Sequence, residues 1–598
     1  MHYLNQYLKF ILSLSFVFIL NSCSQRNGAP PNVILILTDD QGYGDMSCHG
    51  HPILQTPNID RLSREGVRLT DFHVDPYCAP TRAALMTGRY ALRTGVWHTY
   101  GGRNWLLNDE TTMAEIFKTN GYATGHFGKW HLGHNYPLAP YYRGFDESLM
   151  LGDGGLGATN DYWGNDRFDD TYFYNGQPVK THGFGTDQFF NYALRFIERN
   201  KEKPFFIYLA PNLVHRPWNI PPEYVMKYDP TQSEPPLVVD YHHTDMSRFY
   251  GSIDKIDEQI GRLLTYLENS KLIKNTIIIF LTDNGTVSTE YNAGMRGRKG
   301  SPYDGGHRVP CFINWQEGQL KSGKDITNLT AHVDLLPTLI DLCKLNLPKE
   351  ILFDGISLAP LLLSDQITWP NDRIYITQQA QSEGYKNIAP KWLSSVVLSE
   401  RWRMVHGQEL FDIKQDPAQE NDLAQQYPDT VEWLREIYEK YWADVFPRTK
   451  KTARVTIDHD NQAETWLSLI SIHQPDGSGV WSQVHAAKAI TINGYWAVDI
   501  VQDGLYQFEL RRWPRELNKP ISARDYPFPL DYESAISIKP VTARLKIADV
   551  ELSQDINPDS PAVIFNAKLT QGPANLQTWF IDQDGRSRTA YWIYIKPI

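Results

Sequence analysis

The stretch YCAPTRAALMTGRY, residues 77–90, sets a cysteine beside a proline, a threonine and an arginine where a run of helix formers begins. Ala83, Ala84, Leu85 and Met86 favour helix until Gly88 ends it, and Pro80 suits a first helical position. Cys78 therefore falls at a helix N-terminus. Unpaired amides and the macrodipole there favour a negative sulfur or oxygen, as a nucleophile or a bound oxyanion requires. A buried structural thiol is the alternative, because free cysteine is among the most buried residue types. A second set of candidates is acidic. Asp39 and Asp40 in LTDDQGYGD, with Asp283 and Asn284 in LTDNG, offer hard oxygen ligands that suit Ca²⁺ or Mg²⁺ better than zinc. Acids at strand ends also serve as plain turn and capping residues. Lys129 and His131 in HFGKWHLG are separated by one residue, so an extended backbone aims both at one face, for anion binding and proton handling. His215 in NLVHRPW and Lys299 in the glycine-rich RGRKGSPYDGG complete the set, with surface exposure as their alternative.

These side chains need elements to hold them. The runs VILILT and TIIIFLT each end abruptly in Thr-Asp and an acid or amide, which reads as two buried strands of one sheet. Their carboxylates then gather at one sheet edge, where sites form in open α/β sheets. PFFIYLA predicts a third strand running into the His215 loop, and helical patterns at residues 112–119 and 250–269 alternate with the strands. The alternation predicts an α/β domain with a parallel or mixed sheet. From Thr452 onward the pattern changes to short alternating runs, such as LYQFEL and the terminal AYWIYIKPI, broken by turn residues. This predicts a β-sandwich module, in which Tyr495, Trp496 and Trp513 are core before they are sugar-stacking surface.

A chain of 598 residues is too long for one ordinary core, and 41% hydrophobic with 21% charged residues excludes a disordered or fibrous protein. A net charge of −11 argues against a nucleic-acid partner, so an anionic ligand must be met by a local basic pocket. Lys9 precedes FILSLSFVFIL, which is too short to span a bilayer and has the length of a signal-peptide core. It ends in Leu20-Asn21-Ser22-Cys23, which resembles a bacterial lipobox. That likeness implies cleavage before Cys23, lipid on its sulfur, and export to the periplasm or cell surface, with plain secretion as the alternative. Cys48, Cys78, Cys311 and Cys343 then remain, too few for a disulfide scaffold.

Over about residues 31–450 these segments together resemble the sulfatase family of the alkaline phosphatase-like superfamily. Cys78-Ala79-Pro80-Thr81-Arg82, followed by Thr87-Gly88-Arg89, matches the family signature C-x-P-[ST]-R with its downstream T-G-R. LTDDQGYGD, GKWHLG, LTDNG and RKGSPYDGG fall in the family's order, and ELFDIKQDPAQENDLA resembles its closing strand, Asp-Pro turn and Asn-Asp-Leu helix start. The resemblance implies an alkaline phosphatase-like α/β/α sandwich with a small C-terminal α+β subdomain, to which the β-sandwich is an extra module. The expected division is a signal peptide at 1–22, a linker at 23–31, a catalytic domain at 32–370, a subdomain at 371–450 and the module at 451–598.

The same resemblance implies that a sulfatase-maturing enzyme oxidises Cys78 to formylglycine, an aldehyde whose hydrate is the nucleophile. It implies one Ca²⁺ held by Asp39, Asp40, Asp283, Asn284 and the modified Cys78. Arg82, Lys129 and Lys299 then stabilise charge on the sulfuryl group, Lys299 or His215 protonates the leaving alcohol, and His131 takes the remaining hydroxyl proton as sulfate departs. Two departures stand out. His307 occupies a position where the family often has an aliphatic residue before Arg-Val-Pro, and is assigned to substrate contact; NLVHRPW replaces a shorter His-x-Pro form. The loops at 97–105 and 160–170 mix aromatics with Arg, Asn and Asp as sugar sites do, which makes Arg103 and Trp105 substrate candidates, with loop packing as the alternative. The expected function is an exported sulfatase acting on sulfated poly- or oligosaccharides, touching a membrane only through its lipid anchor. A phosphodiesterase or phosphonate monoester hydrolase of the same superfamily, and a non-catalytic glycan-binding lipoprotein, are the competing readings.

Overall fold

The computed structural model describes residues 28–598 apart from 240–241, 321, 365–368, 371, 379, 382–388, 458–463, 476–478 and 525–534. The signal segment, the lipobox and Cys23 lie outside the described residues. Cys48, Cys78, Cys311 and Cys343 are all free thiols.

Apolar runs without alternation make strands that are buried on both faces, and such strands belong in the middle of a sheet. The structure sets three of them, β1 (Asn32–Thr38), β3 (Phe205–Ala210) and β4 (Thr276–Thr282), beside a fourth buried strand that is no apolar run, β2 (Ala123–Gly128, ATGHFG). Their order is β4-β1-β3-β2, every neighbour parallel, inside a sheet of ten strands. Cys311–Asn314 pairs antiparallel with β4, so the sheet is mixed. Alternate residues feed two separate cores. Val33, Leu35 and Leu37 face a layer that includes Ala79, Ala83, Leu335 and Leu339. Ile34 and Ile36 face Phe189, Phe196, Ile256 and Ile260 on the other side. The period of two in each strand thus covers both faces with helices, giving the α/β/α layering.

The predicted helices appear with shifted ends. Met113–Thr119 is capped by Thr112, whose hydroxyl accepts from the Glu115 N–H while the Glu115 carboxylate returns the bond. Met246–Asn269 starts ahead of the predicted 250 because Asp245 caps it through the Ser247 N–H. A four-stranded antiparallel sheet, Tyr375–Gln378, Ser395–Leu398, Trp402–Val405 and Glu409–Asp412, packs with helix Pro428–Thr449. That helix does not begin at Asn421-Asp422-Leu423. The Asp422 carboxylate instead accepts from the N–H of Leu410 and of Ala424, which ties the segment back to the preceding strand as a turn.

The described residues beyond Thr452 form two further sheets, one of six strands and one of four. LYQFEL lies in Gly504–Arg511 and pairs antiparallel with the terminal strand Trp592–Pro597. Both sheets close over one core, in which Trp496 and Trp513 have no exposed surface. The same core takes in Trp105, Leu107, Leu138 and Trp163 from the first part of the chain. Trp163 is met edge-on by Trp513 at 5.5 Å and by Trp592 at 5.7 Å. The sandwich is therefore docked on the α/β domain through shared apolar burial.

Candidate active site

The parallel register decides which side chains meet. Thr38 is paired with Thr282, so the next residues of β1 and β4 emerge side by side: Asp39 with Asp283, and Asp40 with Asn284. Asp40 takes a left-handed φ of 64°, which turns the chain and lets its N–H donate to Asp283 Oδ1 at 3.1 Å. Gly128 is paired with Ala210, so Lys129 emerges beside the loop carrying Asn212 and His215. Helix α1 (Cys78–Thr87) enters from above the same edge, with Cys78 itself as its first residue, two positions before Pro80. Gly88, at φ 66°, ends it. Arg82 lies one turn after Cys78 and shares its face. Its Nε and Nη2 donate to Asp283 Oδ2 at 3.2 and 2.8 Å, and Nη1 to the Lys129 carbonyl at 2.9 Å.

The carboxylates are fully buried, so charge balance governs them. Asp39 Oδ2 accepts from Lys129 Nζ at 2.8 Å and from Asn212 Nδ2 at 2.7 Å. Burial alone would raise Asp39, but Lys129, His215, Arg82 and Lys299 outweigh it and hold the carboxyl well below the usual range. Asp40 Oδ1 accepts from Asn284 Nδ2 at 3.0 Å and from Lys299 Nζ. Asp283 goes the other way. Burial and the adjacent Asp39 charge push it well above the usual range despite Arg82. Among the described residues, Asp39 Oδ1 and Asn284 Oδ1 are buried oxygens without a hydrogen-bond partner. Asp39, Cys78 and Asp283 offer ligand atoms that all lie within 4.8 Å of one another. Repelling buried carboxylates with spare oxygens form a donor set that fits a hard divalent cation, and the oxygen-rich composition favours Ca²⁺ or Mg²⁺.

The two remaining histidines are neutral. His131 does not sit on an extended segment: β2 ends at Gly128 and His131 has φ 67°. Its Nε2 donates to the Thr99 carbonyl at 2.8 Å, which fixes the tautomer and leaves Nδ1 buried, with no hydrogen-bond partner among the described residues. Burial, aided by Lys129, lowers its pKa to about 3. His215 Nδ1 donates to the Arg216 carbonyl at 2.7 Å, and burial lowers its pKa to about 4 against the pull of Asp40, whose Oδ2 is 4.0 Å from Nε2. Lys299 is the reverse case. Burial would lower it, yet Asp40, Cys78, Asp39 and Asp283 raise it well above the ordinary lysine value, so it stays charged. The Lys299 loop reaches the site through a close approach at Gly285, where a Cβ would stand 1.9 Å from the Gly305 carbonyl oxygen. Cys78, His131, His215 and Lys299 line one pocket of about 190 Å³, together with Thr99 and Tyr100.

Not every predicted residue reaches this pocket. His307 has no exposed surface; its Nδ1 lies 2.9 Å from Nδ1 of His73 and its Nε2 donates to the Pro302 carbonyl, inside a cluster with Asp304. Arg103 donates to the Lys451 carbonyl at 2.9 Å and lies over the Trp97 ring, while Trp105 is buried in the sandwich core. Both therefore help to dock the sandwich and do not line the pocket. In the 160–170 loop, Asp161 and Asp170 accept from backbone N–H groups of Gly152, Gly157, Asp166 and Arg167, so this loop is packed. Asn212, Asp153 and Tyr208 enter the site without a motif. Asn212 had one signal, its place in the loop after a buried strand ahead of His215. Asp153 accepts from the Gly133 N–H and Asn104 at 3.0 Å each, and Tyr208 supports Arg82 at 3.2 Å.

Comparison with known proteins bears on this arrangement. The family model described as Sulfatase matches residues 31–345, and that of the C-terminal part of N-sulphoglucosamine sulphohydrolase matches residues 299–443. The chain is similar to N-acetylgalactosamine-6-sulfatase of Mus musculus, 31% identical over 376 residues that cover 56% of this chain and 67% of that protein. It is similar to Arylsulfatase A of Homo sapiens, 33% identical over 374 residues covering 56% and 68%. Among solved structures, Ps i-CgsB in complex with k-i-k-neocarrahexaose aligns with a TM-score of 0.61 at 26% identity, over 71% of this chain and 95% of that one.

Proposed function

Because the chain belongs to the sulfatase family and is a sulfuric ester hydrolase, we propose that it removes sulfate from sulfated carbohydrates, with Cys78 matured to formylglycine and a Ca²⁺ held by Asp39, Asp40, Asp283 and Asn284. The observation that carries this reading is the convergence of Cys78, Asp39 and Asp283 within 4.8 Å at the N-terminus of α1, beside the unpartnered oxygens of Asp39 and Asn284. When bound, the cation would attract a sulfuryl oxygen and lower the pKa of a nearby hydroxyl, and the matured side chain would supply that hydroxyl. The other roles fall to the protein's own groups. Arg82 and Lys129 neutralise and orient Asp283 and Asp39, so the ligand oxygens are set before substrate arrives. Lys299, kept protonated beside Asp40, donates to the departing oxygen. His131, neutral and with Nδ1 unpartnered among the described residues, takes a proton from the nucleophile side as sulfate leaves. His215, also neutral, orients the substrate next to it.

A carbohydrate substrate is supported by the names of the relatives, one an N-acetylgalactosamine-6-sulfatase and another solved with a neocarrahexaose. Export and lipid anchoring rest on the signal core and lipobox; among the described residues no helix is long and apolar enough to cross a membrane. The division at 32–370, 371–450 and 451–598 is part of the same proposal. The non-catalytic alternative is set aside by family membership. The phosphodiesterase and phosphonate alternatives are tested by rate ratios.

The deciding experiment expresses the protein with a sulfatase-maturing enzyme and weighs the peptide containing Cys78. A loss of about 18 Da, the thiol-to-aldehyde change, is expected. It is expected together with sulfate release from a panel of sulfated sugars that stops with EGTA and returns with Ca²⁺. An unmodified peptide with no release, or phosphate diesters cleaved faster than any sulfate ester, would refute the proposal.

A further inference from the structure

The pocket that holds Cys78, His131, His215 and Lys299 has two more walls, Ile470 and Trp481, and both come from the C-terminal sandwich. Neither family match extends that far, since the second ends at residue 443. The segment between strand Thr465–Ser468 and helix Gln483–Ala487 carries them, and its described parts are laced to the catalytic loops. The Gly101 N–H donates to the Ile470 carbonyl at 2.7 Å, and the Ile470 N–H to Thr159 Oγ1 at 2.9 Å. The Thr159 N–H donates to the Trp481 carbonyl at 3.0 Å, and the Gln483 N–H to the Gly157 carbonyl at 2.8 Å. Ile470 Cδ1 lies 2.6 Å from where a Cβ at Gly154 would stand, so the two chains interlock at a point with no room to spare. Trp481 is half-buried, and His485 meets its ring edge-on with centroids 6.1 Å apart. The aromatic wall thus stands on a connecting segment that backbone bonds tie to the α/β domain.

Resting on the reading proposed above, the charged end of the pocket takes the sulfate group. The organic part of the ester must then lie toward Tyr100, Ile470 and Trp481. A pocket of about 190 Å³ is smaller than the roughly 300–1,000 Å³ of sites for drug-sized ligands, so the ring that carries the sulfate is the part of the substrate it holds most closely. An indole presents a broad apolar face to the C–H face of a sugar ring and leaves the hydroxyls at the ring edge for polar partners. We propose that the C-terminal sandwich is part of the substrate site, with Trp481 as the stacking wall for the sulfated sugar ring and Ile470 lining the same pocket. The sandwich then sets which esters are cut, while the sulfate chemistry stays with the α/β domain.

The test uses matured, Ca²⁺-loaded full-length enzyme and the panel sugar sulfate that the wild type hydrolyses fastest. Trp481→Ala should lose about tenfold in kcat/KM, carried by KM, while Trp481→Phe keeps most of it. Inhibition by inorganic sulfate, which needs only the charged end, should hold within about twofold in both. If Trp481→Ala does not fold, Trp481→Leu keeps the apolar bulk, removes the aromatic face and should show the same KM loss. Unchanged KM in the folded variant overturns the assignment, as does a loss that falls equally on inorganic sulfate. A wild type that hydrolyses no sugar on the panel refutes the parent reading, and this assignment with it; only in that case is the wild type itself inactive.

Discussion

Replacing Lys129 by Met keeps an unbranched chain of similar length and deletes one charge. Lys129 and Asp39 have no exposed surface, and Nζ stands 2.8 Å from Oδ2. At that separation two unit charges attract by about 6 kcal/mol at an effective dielectric of about 20. The variant also escapes the cost of burying an ammonium, but it leaves a carboxylate buried with a weaker set of partners. The expected net loss is about 3–5 kcal/mol, as for other buried pairs broken on one side. The pH dependence follows from the direction of the shift. In the wild type Asp39 is depressed, so its contribution to stability is present above the unfolded value near pH 4 and is lost only as pH falls through the lower folded value. In Lys129→Met burial prevails and Asp39 rises, so the deficit is greatest at neutral pH and narrows as pH falls toward about 4. The assay is urea unfolding in EGTA at a series of pH values between 7 and 4, which keeps metal out of the comparison. A deficit below about 1 kcal/mol at pH 7, or one that stays constant across the series, would refute the argument that this is a dry ion pair.

Three further outcomes follow from the geometry. Arg403 is buried between Asp71 Oδ1 at 2.7 Å and Asp304 Oδ1 at 3.2 Å, so Arg403→Met should cost about 3–5 kcal/mol; a thermal midpoint equal to the wild type would contradict it. His131→Ala should lower kcat by about 10²–10⁴ while the first turnover releases alcohol at the wild-type rate, seen as a stoichiometric burst; a slow first turnover would place His131 earlier in the reaction. Gly285→Ala puts a methyl group 1.9 Å from the Gly305 carbonyl oxygen, so the Lys299 loop must shift. A loss of at least about tenfold in kcat/KM is expected, and full activity would show that the loop position is not set there.

Much of the site was legible because its residues follow their strands directly. An apolar β-branched run encodes a strand buried on both faces, and a parallel sheet puts the ends of such strands on one edge; LTDD and LTDN were therefore bound to meet once β1 and β4 were neighbours, whereas Lys129 reaches the same edge from β2, on the far side of β3. Cys78 was legible for a local reason too, since Pro80 and Gly88 bracket a single short helix. Histidines were not separable in this way. His215 lies in an irregular loop and His307 ends the helical turn Asp304–His307, and neither setting tells that one lines the pocket while the other is packed against His73, a partner 234 positions away. Local pattern also assigned Lys129 and His131 to one extended face, whereas the left-handed turn at His131 and its bond to Thr99 bring it to the pocket by another route. The tryptophans of the sandwich divide likewise: Trp496 and Trp513 fill the core, and Trp481 walls the active pocket. Sequence alone determined the strands ahead of LTDD, LTDN and the His215 loop, the helix of Cys78 and the chemical inventory at their ends, because those depend on periodicity and on bonds between near neighbours. Only the tertiary structure decided which histidines meet the pocket, that Asn212 and Asp153 support it, and that the sandwich closes one wall, because these depend on contacts between segments whose local composition does not record what will be packed against them.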